Sequence, residues 1–372
     1  MSKRIVICVN SHSPLLGGCE KVTQKIAEYL GDFYDVIVMT RRYPGRDHSS
    51  FTNYKVMDYL QNDANGFMKQ LQAVHPDVVL IYSDLFDFFR QIINKPSTYK
   101  TILAPCGANY VFNNPSAANT VYRRSDNINS IICHSTHERD YKFYNIEKFS
   151  QKLTIIPNGI DLDEFDDNHL NREEIASELR INHSDISKKW VLSVSNFFPG
   201  KGREHLADIL NQLPSEEFLY IQVCSKMSFP VGETLEIIWR RQMTQAGINF
   251  TLAKNISREY TVGLFKNSNV FIFPSEKEVA PLVLLECMAA RLPWVSTDVG
   301  NAKDLSGGVC ITAAKNSKYY NIIDVRVKKL LASAMEKIWH TPQQADGGRL
   351  QIEQSMQWNK LLPRYKEVIK QV

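Results

Sequence analysis

Short runs of residues that are apolar at almost every position recur along this chain, each followed by a turn and an amphipathic stretch. Residues 4–9 (RIVICV), 35–39 (DVIVM), 77–82 (DVVLIY), 100–104, 130–133 and 152–156 form one series. Residues 20–30 lie within it, with Val22, Ile26, Ala27 and Leu30 at helical spacing. A strand apolar throughout is covered on both faces, so it belongs to a parallel sheet with helices on each side. Residues 162–188 turn polar and acid-rich, which reads as a linker plus one helix. The rhythm then restarts with strands at 190–194 (WVLSV), 218–223 (FLYIQV), 249–252, 270–273 (VFIF) and 294–296, and helices at 282–290 and 325–338. The chain's 372 residues suit two domains. The expectation is an α/β protein of two Rossmann-like, doubly wound parallel-sheet domains, residues 1–165 and 166–351, facing a central cleft. Ligands of such sheets bind beyond the carboxyl ends of the strands. In the tail, residues 352–372, Trp358, Leu361, Leu362, Tyr365, Val368 and Ile369 fall at helical spacing. That helix packs on the second domain or crosses back to the first.

The formal charge is only +4, and neither half has the dense basic field of a nucleic-acid binder. Seven cysteines, with no CxxC pair, read as free thiols of a reducing compartment rather than a disulfide framework. The apolar start, MSKRIVICVN, is too short for a signal-peptide core. No run approaches the ~18 apolar residues that cross a bilayer. A cytoplasmic location is expected, with contact at the inner face of a membrane left open. Nothing sets the oligomeric state.

Four segments can carry chemistry. The first is FPSEKEVAPLVLLE, in which Glu278 and Glu286 flank Val279, Ala280, Pro281 and Leu282, where a strand ends and a helix begins. Backbone N–H groups at such a helix start can meet phosphate or sugar oxygens, and a carboxylate one turn in can accept from a ribose diol. The second, SNFFPGKG, brings Asn196, Lys201 and Arg203 from a strand into a Pro/Gly loop, a place where a point charge can hold a diphosphate. It has no Walker A spacing. The third is Gly17-Gly18, between the first strand and first helix, where backbone can approach a ligand closely or simply turn. The fourth is IPNGID, a turn at the passage between domains. His134 and His137 lack the spacing of a helical zinc pair, and no metal site is expected. His12 reads as a surface residue or one facing the cleft. Arg41, Arg42, Arg46, Arg123 and Arg124 read as a solvated basic face, or one that meets an anionic lipid or acceptor.

Together, and in this order, these segments resemble a retaining glycosyltransferase of family four (glycosyl transferases group 1), which has the GT-B fold. The likeness is densest over residues 191–305, and the Glu-x7-Glu pair is its most specific element. It implies transfer of a sugar from a nucleotide diphosphate sugar, most simply a UDP- or GDP-sugar, to a hydroxyl of a glycan, lipid-linked or small-molecule acceptor, without metal or further cofactor. It places Glu278 by the reacting centre, Glu286 on the ribose, Lys201 on the diphosphate, Lys254, Asn255 and Ile256 by the base, and Gly17 and Gly18 on the phosphate and acceptor side. Three positions depart from the pattern. Asn196 stands where the family has an arginine that pairs with the lysine, leaving that charge to Arg203 or Lys226 or to nothing. Val279-Ala280-Pro281 replaces a glycine-rich stretch. Cys106 takes the place of a catalytic histidine in the first domain, whose role then passes to Asn109 or His12. Two alternatives stay open: an epimerase or hydrolase acting on the nucleotide sugar, and a catalytically weak nucleotide-sugar-binding scaffold.

Overall fold

The computed structural model describes the chain except for residues 1, 14–16, 61–62, 83–86, 95–96, 107–114, 138, 226–229 and 318–319. It divides into two compact units, Met1–Asn158 joined by Trp358–Val372, and Gly159–Gln357.

In the first unit the apolar runs become parallel strands: β1 (Arg4–Cys8), β2 (Asp35–Arg41), β3 (Lys55–Tyr59), β4 (Val78–Ile81), β5 (Lys100–Leu103), β6 (Ser130–Cys133) and β7 (Leu153–Ile155), in sheet order β3-β2-β1-β4-β5-β6-β7. β3 lies at the sheet edge and is only half-buried, so its sequence, KVMDY, lacks the all-apolar signature of the inner strands. The helix Gly18–Gly31 buries Val22, Ile26, Ala27 and Leu30, the stripe its spacing predicts. The tail helix Trp358–Gln371 belongs to this unit and packs on Gly18–Gly31, burying Trp358, Leu361, Leu362, Tyr365, Val368 and Ile369.

The second unit holds β8 (Lys189–Val194), β9 (Phe218–Cys224), β10 (Phe250–Lys254), β11 (Val270–Phe273), β12 (Trp294–Thr297) and β13 (Gly308–Ile311), all parallel, in the order β10-β9-β8-β11-β12-β13. A small antiparallel pair, β14 (Ala314–Lys315) and β15 (Asn321–Ile322), follows. β13 begins at Gly308, whose missing side chain makes room for the Trp294 ring; this short edge strand is only half-buried. The segment expected as a linker and one helix forms three short helices, Asp163–Asp166, Arg172–Leu179 and His183–Ile186. Each sheet runs outward on both sides of its first strand. This creates a topological switch point between β1 and β4 in one unit and between β8 and β11 in the other.

Two expectations about surface groups are corrected here. Arg46 is not part of a solvated face: its side chain is buried, pairs with Asp58 and donates 2.8 Å to the Ser13 carbonyl oxygen. His12 is fully buried rather than at the surface, with Nε2 3.0 Å from the Tyr54 hydroxyl and Nδ1 3.3 Å from Thr23 Oγ1. Both side chains satisfy polar groups under the loop that follows β1. No helix among the described residues is long and apolar enough to cross a membrane.

Candidate active site

At the switch point of the second unit, the loops after β8 and β11 are laced together. Glu276 N donates to Gly200 O (2.9 Å), and Ser275 Oγ lies 3.0 Å from the same oxygen. Gly202 has φ +71°, and a Cβ there would sit 1.6 Å from Pro274 O, so only glycine fits the approach. The lacing brings Lys201 Nζ to 2.5 Å from Glu278 Oε1, with Ser275 Oγ 3.0 Å from that oxygen. Both charged side chains keep partial exposure, 29% for Lys201 and 14% for Glu278. The sequence separates these two residues by 77 positions; the sheet order puts them together.

Four residues beyond Glu278 the helix Leu282–Ala289 begins, with Pro281 as its cap residue instead of inside the first turn. No side chain caps this helix and its first turn carries no acidic residue, so its positive end is not neutralised from within. Gly300, at φ +51°, packs against Val279 and Ala280: a Cβ there would lie 2.1 Å from Val279 O. Close backbone contact thus shapes this turn even though it lacks the expected glycines of its own.

Glu286, in the same helix, is 6% exposed and pairs with Arg258 Nη1 at 2.6 Å. Arg258 also makes a two-pronged contact with Glu164, at 2.5 and 2.7 Å. Burial alone would lower the guanidinium pKa, but Glu286 and Glu164 raise it above its ordinary value. The reading of the sequence missed Arg258. It opens the helix Arg258–Asn267, after the Ser257 cap, where a cation opposes the helix dipole. That misfit was the available signal, and the two carboxylates resolve it.

The base segment lies just before this helix. Lys254 pairs with Glu236 at 2.6 Å, Asn255 takes φ +53° and donates its N–H to Cys224 O at 3.0 Å, and Ile256 packs on the core. Asn196 Oδ1 accepts 2.7 Å from Ser225 N, which ties the loop after β8 to the end of β9. Arg203 is buried beneath this loop, with Nη2 2.5 Å from Ser195 Oγ and its guanidinium 4.5 Å from the Phe197 ring centroid. Burial pushes its pKa down to about 10. Its positive charge therefore acts from beneath the loop. Lys226 lies outside the described residues.

Among the described residues, Glu204, His205 and Glu276 bring three potential metal-ligand atoms within 4.8 Å of one another. His205 Nε2 is 3.4 Å from Glu276 Oε1, so the imidazole has a partner in the carboxylate itself.

In the first unit, the space over Gly17 is filled by Glu20: a Cβ on Gly17 would meet its carboxylate oxygen at 2.2 Å, and Ser11 Oγ donates to that carboxylate. Glu20 is the third helical residue, the position from which a carboxylate can fold back over a helix start. Cys106, three residues beyond β5, is half-buried beside Cys19. Gly107 and Asn109 lie outside the described residues.

Residues 174–307, which include Lys201, Glu278, Glu286 and Arg258, match the family model for glycosyl transferases group 1. The processive diacylglycerol alpha-glucosyltransferase of Acholeplasma laidlawii is 22% identical over 62% of each chain. The putative teichuronic acid biosynthesis glycosyltransferase TuaC of Bacillus subtilis is 24% identical over 50% of this chain and 43% of its own. The chain thus spans less than two thirds of the length of these relatives. Solved structures match it from end to end. Sucrose-phosphate synthase of Thermosynechococcus elongatus has a TM-score of 0.78 at 16% identity, covering 99% of this chain and 98% of its own. Anabaena HepE in complex with UDP-glucose has a TM-score of 0.74 at 15% identity, covering 99% and 100%. The chain has two Rossmann-like domains of the GT-B type, and its segment 174–307 is similar to glycosyl transferases group 1.

Proposed function

We propose that this protein is a retaining, metal-independent glycosyltransferase that moves a sugar from a nucleotide diphosphate sugar to an acceptor hydroxyl. The observation that carries this reading is the Lys201–Glu278 pair, held by interlocked loops at the switch point of the second sheet and followed by an uncapped helix start. A departing diphosphate gathers negative charge in the transition state. A fixed ammonium and a helix N-terminus placed for that charge lower the barrier with little reorganisation. These two groups supply the positive charge that a divalent cation would otherwise bring.

On this reading Lys201 takes the diphosphate and leaves its bond to Glu278, which turns to the donor sugar. Glu286, paired with Arg258 and oriented by it, binds the ribose hydroxyls. Residues 254–256 hold the base through the main chain. Asn196 contributes a neutral amide contact where an arginine is usual, and the buried Arg203 supplies positive charge from below. Acceptor recognition falls to the first unit, and a lipid-linked acceptor would bring the protein to a membrane surface. The UDP and UDP-glucose complexes of HepE favour a uridine donor. Retention rests on the likeness of the Glu-x7-Glu segment to family four.

Nucleotide screening by thermal shift tests the donor assignment. A ligand at ~100 times its dissociation constant adds about 2.7 kcal/mol, so UDP should stabilise more than GDP or ADP. Product from a UDP-sugar should keep the anomeric configuration by NMR, and EDTA should leave the rate unchanged. An inverted product would overturn retention, and EDTA-sensitive turnover would overturn metal independence. Rapid water-dependent loss of the donor, or its epimerisation, would favour the hydrolase or epimerase alternative.

A further inference from the structure

The two half-buried cysteines of the first unit meet: Cys19 Sγ lies 3.2 Å from Cys106 Sγ. Cys19 is the second residue of the helix Gly18–Gly31, and Cys106 follows β5, 87 positions later. A disulfide needs sulfurs about 2.05 Å apart, so closing the pair takes a movement of about 1.2 Å. Cys19 sits in the first turn of its helix and Cys106 just past its strand, both at the carboxyl end of the same sheet, where side-chain rotation can supply a shift of that size. The remaining cysteines are placed differently. Cys8, Cys133, Cys224 and Cys287 are buried, and burial pushes the thiols of Cys224 and Cys310 up to about 11 and also raises those of Cys8 and Cys287.

We propose that Cys19 and Cys106 form a dithiol modification site, which takes small disulfides and trivalent arsenicals and closes reversibly to an intramolecular disulfide. One thiolate attacks a small disulfide RSSR, forming a mixed disulfide and releasing one thiol RSH. The second cysteine then attacks the protein sulfur of that mixed disulfide and releases the other RSH. The two protein thiols are oxidised by two electrons and RSSR is reduced to two thiols, so the exchange balances without a further oxidant. The closed form ties the first turn of Gly18–Gly31 to the chain leaving β5, at the same sheet end as His12 and Glu20.

Treating the folded full-length chain with oxidised glutathione, then mapping its peptides by mass spectrometry, tests this directly. The expected result is loss of two of the seven free thiols, with one cross-linked peptide joining Cys19 to Cys106 that dithiothreitol releases. Cys19→Ser and Cys106→Ser should each abolish the cross-link and leave the other cysteine carrying glutathione. Phenylarsine oxide gives a second reading on the unaltered chain: one equivalent bound, competing with the cross-link. Both thiols remaining free, or each carrying its own glutathione without a cross-link, would overturn the proposal, and the unaltered chain alone decides this.

Discussion

Two helix starts, one in each unit, stand in opposite electrostatic states. In the first, Gly18–Gly31 has its own Glu20 folded over Gly17, and the neighbouring polar groups are used internally: His12 with Tyr54 and Thr23, Arg46 with Asp58. In the second, Leu282–Ala289 begins with no cap and no acid, beside a lysine that shares its carboxylate partner with a serine. An anion would be repelled by the first arrangement and drawn to the second. Sheet order is alike in the two units, so it does not distinguish them electrostatically; the side chains at the strand ends do.

The sharpest way to break this contrast is Lys201→Ala. Loss of a preformed contact to developing charge costs about 2.7–4 kcal/mol, or about 10²–10³ in rate. Transfer should fall by that factor while thermal stability changes little, because Lys201 is partly exposed. A melting temperature that drops along with the rate would make Lys201 a structural residue and erase the contrast.

Acidification should strike the first unit next. Burial, aided by the Arg46 charge, pushes His12 down to about 4 from an ordinary 6.5, so the native imidazole is neutral. The unfolded chain takes up the proton first. Stability is therefore intact above pH 6.5 and falls between 6.5 and 4, by up to about 3 kcal/mol. Buried His134 is shifted in the same direction. Denaturant titrations across that range should show the slope, and His12→Asn should lessen it. An unchanged slope in the variant would take His12 out of the account.

Glu286→Ala should weaken nucleotide binding by about 10–100-fold, the equivalent of 1.5–3 kcal/mol for a hydrogen bond to a charged group. Arg258 retains Glu164 as a partner in this variant, so calorimetric affinity should move more than the melting temperature. Equal affinity for UDP and for free uracil base would argue against a ribose contact. The smallest effect belongs to Glu20→Gln, which should cost the first unit about 0.3–1 kcal/mol of helix-end stabilisation and leave nucleotide affinity unchanged. A gain in nucleotide affinity would mean that the first unit competes for the phosphates.

Much of this was legible in advance. Inner strands such as RIVIC and VFIF announce themselves because burial on both faces leaves them apolar at nearly every position. β3 and β13 did not, since an edge strand is covered on one side only and keeps Lys55 and Asp58, or starts at a glycine. Lys201, Glu278 and Glu286 stood out by spacing and turn chemistry. Arg258 did not, because its meaning depends on Glu164 and Glu286, 94 residues before it and 28 after it. Arg46 and His12 were misjudged for a related reason: side-chain polarity suggests exposure, and only the three-dimensional partner reveals a buried, paired group.

The tail helix has a consequence for how the chain is made. The second unit is one unbroken stretch, and its ends are joined: Ile160 N donates to Met356 O at 3.0 Å, and Ile160 bridges to Gln357. During synthesis it can complete itself while the earlier-made sheet still waits for Trp358–Gln371 to cover Gly18–Gly31. The portion translated first thus depends on the portion translated last, and a released chain truncated just short of position 358 should carry a finished C-terminal half beside an N-terminal half with an exposed apolar flank.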